Sequence, residues 1–548
     1  MSAPSATSDP SEPPPSSAPD SPRSDSSLSG RTLREALERA EAYPYTPDQI
    51  HVVQTHISYV ALAPPYVYKI KKAVDLGFLD FTTLAQRRHY CEEEIRLNSR
   101  LCGSIYEDVV PISRTPDGLR LEDDSNVVEV AVKMKMLPHD DFLDARLERG
   151  TLTESDLDAV VDVLADFYAA RPSSPEVAAN GRVDRIWANI RENFEQAVPH
   201  RGGLLTEPAY RALQYAAERF MDHHALLFHE RRAKGHIVDA HGDLRLEHVH
   251  LSEDGVCIYD CIEFTTRFRH IDIASDVAFL AMELDVNGRP DLARYFVNAI
   301  ADALGDPNLA RLTDFYKSYR AFVRGKVNGM KLDDPDITGD ARTVCKRDSQ
   351  TFYQWALRYF VAGNTPRVVV VMGRPGTGKS TQAQALHKAL GWPVASSDQV
   401  RKRLAGLPLH ERPDAETRAE LYSSAMSERT YDALAEQAVG AVADGSGLIL
   451  DATYSHRSTR EALRKRLSHC PPLFAELVAP DEQLKSRLAA RASQPDVVSD
   501  ARAEDFELLT ARYEAPDALE DARHVQVEAT GEPEDTTVQI LKALIQLK

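Results

Sequence analysis

Residues 368–381, VVVVMGRPGTGKST, constrain this chain more than any other stretch. Four valines and a methionine make a continuous, β-branched run of the length of a buried strand. The next eight residues, Gly373 to Ser380, satisfy G-x-x-x-x-G-K-[ST] at every fixed position, and residues 382–390 have helical apolar spacing. Strand, glycine loop and helix in that order form a phosphate cradle. The glycines let successive N–H groups turn toward one anionic point, and the helix start adds partial positive charge. Gly373, Pro375, Gly376, Thr377, Gly378 and Thr381 shape that cradle. Lys379 is placed to reach the β- and γ-phosphates, and the Ser380 hydroxyl to sit on Mg²⁺. A turn that merely joins strand to helix needs none of these fixed positions. The chain is expected to bind ATP with Mg²⁺.

At 548 residues the chain is too long for one core, so two domains are expected. Residues 1–30 are rich in Ser, Pro and Asp, and cannot bury enough apolar surface to fold. They also lack the apolar centre of a signal peptide, and no run of about 18 apolar residues offers a membrane span. The formal charge of −19 argues against broad electrostatic binding to nucleic acid and tilts the expectation toward small acceptors. Six scattered cysteines show no disulfide framework and no close CxxC pair. They read as small buried hydrophobes in a reducing, cytoplasmic setting, with no zinc site.

In the first part, residues 58–62 and 66–71 read as a hairpin turned by Pro64-Pro65. Lys69 and Lys71 share one face of its second strand, and residues 84–101 read as a helix carrying Glu92, Glu93 and Glu94. A strand lysine with a helix glutamate is the ion pair that holds ATP phosphates in kinase-like folds, although such residues are also common on solvated faces. Residues 127–136 read as a further strand, and 157–168, 210–230, 315–328 and 343–360 as helices. In residues 237–264, the HGDLRLEHV loop precedes a hairpin expected to end in Asp260. Asp243 is placed to orient or deprotonate an acceptor hydroxyl, and Asp260 to hold Mg²⁺. The plain alternative is a turn and a strand terminator.

Residues of about 40–350 resemble the aminoglycoside phosphotransferase-type kinases, small-molecule relatives of the protein kinases. YKIKK (68–72), the glutamate helix, HGDL (241–244), YDCIEF (259–264) and IDIASDVAFL (271–280) carry the match. The resemblance implies Asp243 as catalytic base, Asp260 as metal ligand, and Lys69 as the phosphate lysine paired with Glu93 or Glu94. It also implies that Asp276 anchors the catalytic loop through hydrogen bonds. His248 stands where the family usually has an Asn metal ligand. Mg²⁺ prefers oxygen, so His248 itself, Glu247 or Glu263 are the alternatives there.

After a linker at 363–366, strands and helices alternate from residue 367, which implies a parallel sheet with helices on both faces. Residues 392–406 give a strand ending at Ser397-Asp398 and a helix with Arg401. Asp398 is placed to take an acceptor's proton and Arg401 to hold its anionic group; a helix N-cap and a surface charge are the alternatives. The GLILD run closes on Asp451, a candidate for the metal's water shell. Arg487 and Arg491 lie one turn apart and read either as a lid on the transferring phosphate or as surface ion pairs, with 492–505 as the mobile segment. This half resembles the P-loop kinases of the polynucleotide-kinase, gluconate-kinase and zeta-toxin type, some of them described as predicted AAA-like ATPases. GRPGTGKST, SSDQVRKRL and LILDAT carry that match.

The expected fold class is therefore α/β and α+β: a bilobal protein-kinase-like domain at 31–362, then a P-loop domain at 367–548. The expected activity is transfer of the γ-phosphate of ATP to a hydroxyl of a small molecule, sugar, nucleotide or polynucleotide 5′ end. The alternative is an N-terminal pseudokinase regulating a C-terminal ATPase, a switch or toxin-like module. Acceptor and oligomeric state stay open.

Overall fold

The computed structural model describes residues 29–547 except 56, 78, 336, 364, 366, 411–412, 493–503, 505 and 517–522; for Ala415, Arg491 and Ala492 only the backbone is described. The Ser/Pro-rich tail up to residue 28, and all of the expected mobile segment but Ala492 and Glu504, lie outside that set. The described residues form two compact units, one up to residue 92 together with 106–136, the other of 93–105 and from 137 onward.

The first unit is a six-stranded antiparallel sheet: β1 (His51–Gln54), β2 (Ser58–Ala63), β3 (Tyr66–Lys71), β4 (Tyr106–Thr115), β5 (Gly118–Leu121) and β6 (Val127–Lys135), in the order β1-β2-β3-β6-β4-β5. Tyr68, Ile70, Ile112 and Ala131 alternate onto its buried face, where Leu33 and Leu37 of the helix Gly30–Leu37 close the core. Arg87 is buried in this unit, its Nε 2.9 Å from Glu129 Oε1. Such a pair is retained only because both charges are satisfied together.

In the second unit, β7 (Ile237–Asp239) pairs with β10 (His270–Asp272), and β8 (Val249–Ser252) with β9 (Gly255–Ile258), all antiparallel. These short ribbons sit among the long helices Glu154–Ala169, Glu207–Ala233, Ile273–Val286, Leu309–Met330 and Gly339–Val361. From residue 367 the expected parallel sheet follows: β11 (Val368–Gly373), β12 (Val394–Ser396), β13 (Leu448–Asp451), β14 (Leu473–Val478) and β15 (His524–Glu528), in the order β12-β13-β11-β14-β15. Every residue of β11 is buried, as its valine run requires of a central strand.

One hydrophobic core runs from Leu143 to Ile545, across residues 363–366. Polar contacts reinforce it. Arg358 Nε donates to Leu390 O (2.5 Å) at the end of the phosphate-loop helix, Lys379–Leu390. Gln382, one turn into that helix, donates to Pro533 O and accepts from Thr537 Oγ1 (2.7 Å) in the helix Pro533–Gln546. The last helix in turn reaches Tyr215 through Gln546. The helix before the short link thus packs against elements of the second half.

One sequence expectation is corrected. Cys102 and Cys257 form a disulfide, with Cα atoms 4.7 Å apart and 155 residues between them. Spacing along the chain gave no sign of it because helix end and hairpin meet only after folding. Cys91, Cys261, Cys345 and Cys470 are outside the disulfide, the first two of them buried.

Candidate functional site

The phosphate loop has the backbone its glycines were read for. Gly373, Gly376 and Gly378 have φ of 139°, 85° and 90°, values that side chains rarely adopt. A Cβ on Gly373 would sit 2.5 Å from Leu477 O, and one on Gly376 2.7 Å from Leu484 O, so neighbouring backbone also excludes it. Lys379 folds back over the loop and donates to Gly373 O (3.0 Å) and Arg374 O (3.2 Å). Arg374 is held to Asp481 at 2.7 Å, which ties the loop to the helix Asp481–Ala492.

Around the loop lies a cleft of about 1250 Å³. Pro375, Gly376, Thr377, Gly378, Lys379, Ser380 and Thr381 form one end of it; Asp398, Arg401, Asp451 and Arg487 also line it. The register explains the convergence. Val371 of β11 and Ser396 of β12 both lie beside Asp451 of β13, so three parallel strands present their carboxyl ends together. Asp398 is not the N-cap weighed from the sequence. Ser396 holds that position, and Asp398 lies in the first turn of the helix Ser397–Leu404. Its carboxylate is 3.4 Å from Arg401.

Arg401 is the most informative side chain in the cleft. It is 7% exposed, its guanidinium stacks 4.4 Å from the Tyr422 ring, and its Nε has no hydrogen-bond partner. A buried guanidinium with an unused donor is costly unless an acceptor is supplied. Arg487 lines the cleft and donates to Ala529 O (2.8 Å). Arg491 belongs to the same helix, but its side chain lies outside the described residues.

Tyr454 and Arg466 also line the cleft, as do Tyr431, His456 and Arg512, which were not identified from the sequence. Among the described residues, Tyr454 is one of three non-glycine residues with positive φ, at 44°. Another is Asp260, at 63°, in the first half of the chain. Such strain persists where surrounding structure imposes it, and here it marks both candidate centres.

In the first half of the chain, Asp276 is fully buried and accepts from Tyr168 OH (2.9 Å), His241 N (3.0 Å) and Gly242 N (2.8 Å). Arg320 donates to Gly242 O (2.9 Å) from the other side. The buried His241 is a second brace. Its Nε2 lies 3.0 Å from Tyr259 O and its Nδ1 accepts from Asp243 N at 3.2 Å. That pattern requires a neutral ring protonated on Nε2. His248 Nδ1 donates to Asp243 O (2.9 Å), while Nε2 lies 3.5 Å from Asp260 Oδ2 and 3.7 Å from Glu247 Oε1. Glu263 is buried. Asp260 follows β9 by two residues; it does not end that strand.

Lys69 and Lys71 belong to the first compact unit, with Lys71 buried and Lys69 half-buried. Glu93 and Glu94 belong to the second. Glu93 is paired with Arg96 at 2.6 Å, and Glu94 is fully buried.

The state of His241 has a measurable consequence. Burial pushes its pKa below the ordinary value, outweighing the carboxylates of Asp276 and Asp243, and His248 acts in the same direction as burial. The unfolded chain therefore takes up this proton first as pH falls. Stability rises with pH through that window and is lost as pH drops below the ordinary histidine value of about 6.5. Melting temperature should fall between about pH 7 and pH 5, with the His241 ring resonances holding their neutral shifts. A His241 that titrates at its ordinary value in the folded chain contradicts this.

Ser380 and Asp451 offer Mg²⁺ a hydroxyl and a carboxylate oxygen in one cleft, a donor set that suits it. Among the described residues there is no group of three or more His, Cys, Asp or Glu arranged to hold a metal ion, and no helix is long and apolar enough to cross a membrane.

Comparison with known proteins adds the following. A family described as an AAA domain matches residues 368–516. Together with the loop geometry, this makes the C-terminal half a P-loop nucleotide-binding domain. Among curated proteins, the uncharacterized proteins Rv2004c of Mycobacterium tuberculosis (strain ATCC 25618 / H37Rv) and Mb2027c of Mycobacterium bovis are each 30% identical over 483 residues. That alignment covers 86% of this chain and 92% of each relative. Among solved structures, a gluconokinase from Sinorhizobium meliloti 1021 is 21% identical over 34% of this chain and 94% of its own, with a TM-score of 0.26. Chaetomium thermophilum Kti12 in complex with ADP-AlF3 is 18% identical over 32% and 95%, also with a TM-score of 0.26.

Proposed function

The chain belongs to the family of these mycobacterial proteins, and we propose that it is an ATP-dependent phosphotransferase whose P-loop half moves the γ-phosphate of ATP to a hydroxyl acceptor. The observation that carries this reading is Arg401, buried beside Asp398 with an unused Nε, in the cleft that also holds the phosphate loop. A domain that only hydrolysed nucleotide would have no use for a second, buried anion-binding group next to a carboxylate.

In this reading the loop amides and Lys379 hold the β- and γ-phosphates, and Asp398 takes the acceptor hydroxyl's proton. Arg401 fixes an anionic group of the acceptor, and Arg487 or Arg491 covers the transferring phosphate. Mg²⁺, held through Ser380 and the water shell at Asp451, would offset charge on the phosphate oxygens. The domain limits proposed are 31–362 and 367–548. By resemblance, Asp243 is the proposed base of the first half, Asp260 and His248 its metal ligands, and Lys69 with Glu93 or Glu94 its phosphate-holding residues.

The test is transfer from γ-labelled ATP with Mg²⁺, offered separately to 5′-hydroxyl oligonucleotides and to pools of sugars, nucleosides and aminoglycosides. Product lost only in Lys379→Ala assigns the chemistry to the second half, and product lost only in Asp243→Ala assigns it to the first. Nucleotide hydrolysis with no transfer to any acceptor supports the second reading, an N-terminal pseudokinase governing a C-terminal ATPase. The observation favouring that reading is the His248 imidazole set 3.5 Å from Asp260.

With an acceptor in hand, Arg401→Gln should raise the acceptor KM by roughly 10–100-fold and leave the ATP KM nearly unchanged. Arg401→Lys should recover part of the loss, since charge survives while the planar donor set does not. An unchanged acceptor KM in Arg401→Gln removes Arg401 from the acceptor site.

A further inference from the structure

We propose that Cys102 and Cys257 form a reversible redox latch, which fastens the end of the glutamate-bearing helix to the hairpin leading into Asp260. The inference is independent of which half transfers phosphate, and it concerns a pair of residues that no step above uses.

Three of the links that tie the segment 93–102 to the loop and hairpin regions beyond it are the following. Asn98 Oδ1 accepts from Cys261 N at 2.8 Å. Arg100 pairs with Asp239 at 2.8 Å, next to the HGD loop. The third link is the disulfide, from the last residue of the helix Leu84–Cys102 to β9. Only the third can be made and broken by chemistry.

The position of Cys257 makes the link consequential. In the β8–β9 ribbon it lies opposite His250, and it precedes Asp260 by three residues. Between them lies Tyr259, whose carbonyl is joined to the His241 ring and hence to Asp243. A covalent tie at Cys257 therefore holds the strand end that presents Asp260, whose backbone is already strained. Releasing it leaves that end to its hydrogen bonds and to the packing of Ile258 in the core.

The two sulfurs differ in access: Cys102 is buried and Cys257 half-buried. A low-molecular-weight disulfide, R–S–S–R, is thus attacked first by the Cys257 thiolate, which forms a mixed disulfide and releases one RS⁻. The Cys102 thiolate then attacks the Cys257 sulfur, closing the protein disulfide and releasing the second RS⁻. Each RS⁻ takes up one proton given up by a cysteine, and the two thiols are oxidised as the small disulfide is reduced. Cys261, four residues further on, is buried and outside the disulfide.

The experiment uses the full chain, equilibrated in a graded series of reduced and oxidised glutathione, alkylated and mapped by mass spectrometry. Hydrogen exchange is then followed at both ends of the series. We expect the 102–257 linked peptide at the oxidising end and its loss at the reducing end, with Cys345 and Cys470 alkylated in both. Amides of residues 97–102 and 256–262 should exchange at least ~10-fold more slowly in the oxidised chain. Complete alkylation of Cys102 and Cys257 throughout the series overturns the proposal. So does a linked peptide whose formation leaves exchange in both segments unchanged. The double variant Cys102→Ser/Cys257→Ser should match the reduced chain in every buffer. If that variant does not fold, the wild-type comparison decides alone.

Discussion

Replacing Lys379 with alanine should lower phosphoryl transfer at the C-terminal cleft by about three orders of magnitude, the scale on which a single preorganised donor to developing charge acts. The ammonium already lies over the centre of the loop, donating to the Gly373 and Arg374 carbonyls at 3.0 and 3.2 Å. Those carbonyls are modest partners for a full charge, and phosphate oxygens are better ones. Alanine removes the charge and leaves the loop's glycine geometry, which depends on backbone contacts with Leu477 and Leu484. Folding should therefore be nearly untouched. The measurements are labelled transfer and the rise in melting temperature on adding ATP, which scales with ligand concentration over Kd. Wild type should show both. Lys379→Ala should melt normally without ATP and lose most of the shift with it. Undiminished transfer in this variant means the chemistry is not done at this loop.

How much was legible beforehand differs sharply between elements. The strand, loop and helix of residues 368–390 could be read closely because a phosphate cradle leaves few choices of residue. Asp451 could be placed because a short buried run ending in an acid marks a strand's carboxyl end in a parallel sheet. β4 was not seen. Tyr106–Thr115 carries Glu107, Asp108 and Pro111, and its alternation is broken further by register shifts at Tyr106/Asp108 and Ile112/Ser113. The N-cap weighed as the alternative for Asp398 lies two residues earlier, at Ser396, within the ordinary blur of helix boundaries. Tyr431 stands on a helix with no local signature, and only the packing of Ser424–Ala443 around the cleft brings it in. The burial of Arg401 was equally invisible, since a sequence shows a charge and not its surroundings.

The second large effect is expected in the first half, where two aspartates near one loop should fail in opposite ways. Asp276→Asn should cost about 3–5 kcal/mol of stability, because it disrupts a buried charge that other groups were built to meet. The wild-type carboxylate accepts three hydrogen bonds, from Tyr168 OH and the amides of His241 and Gly242. An amide side chain has one acceptor oxygen and presents an NH₂ where the other oxygen was, so at least one buried donor is left facing a donor. With Arg320 gripping only the Gly242 carbonyl, the loop loses its fixed course. Asp243→Asn is the opposite case. Its side chain is 31% exposed, so the change should move stability by no more than about 0.5 kcal/mol. If the first half transfers phosphate, the same change should slow it by roughly 10²–10⁴, the usual contribution of a positioned base. Thermal melting and labelled transfer, measured on both variants, separate the roles. An Asp276→Asn chain that melts like wild type but has lost transfer would assign Asp276 to the chemistry. An Asp243→Asn chain with undiminished first-half transfer would remove the base from Asp243 and leave the HGD loop as a structural turn held in place by Asp276.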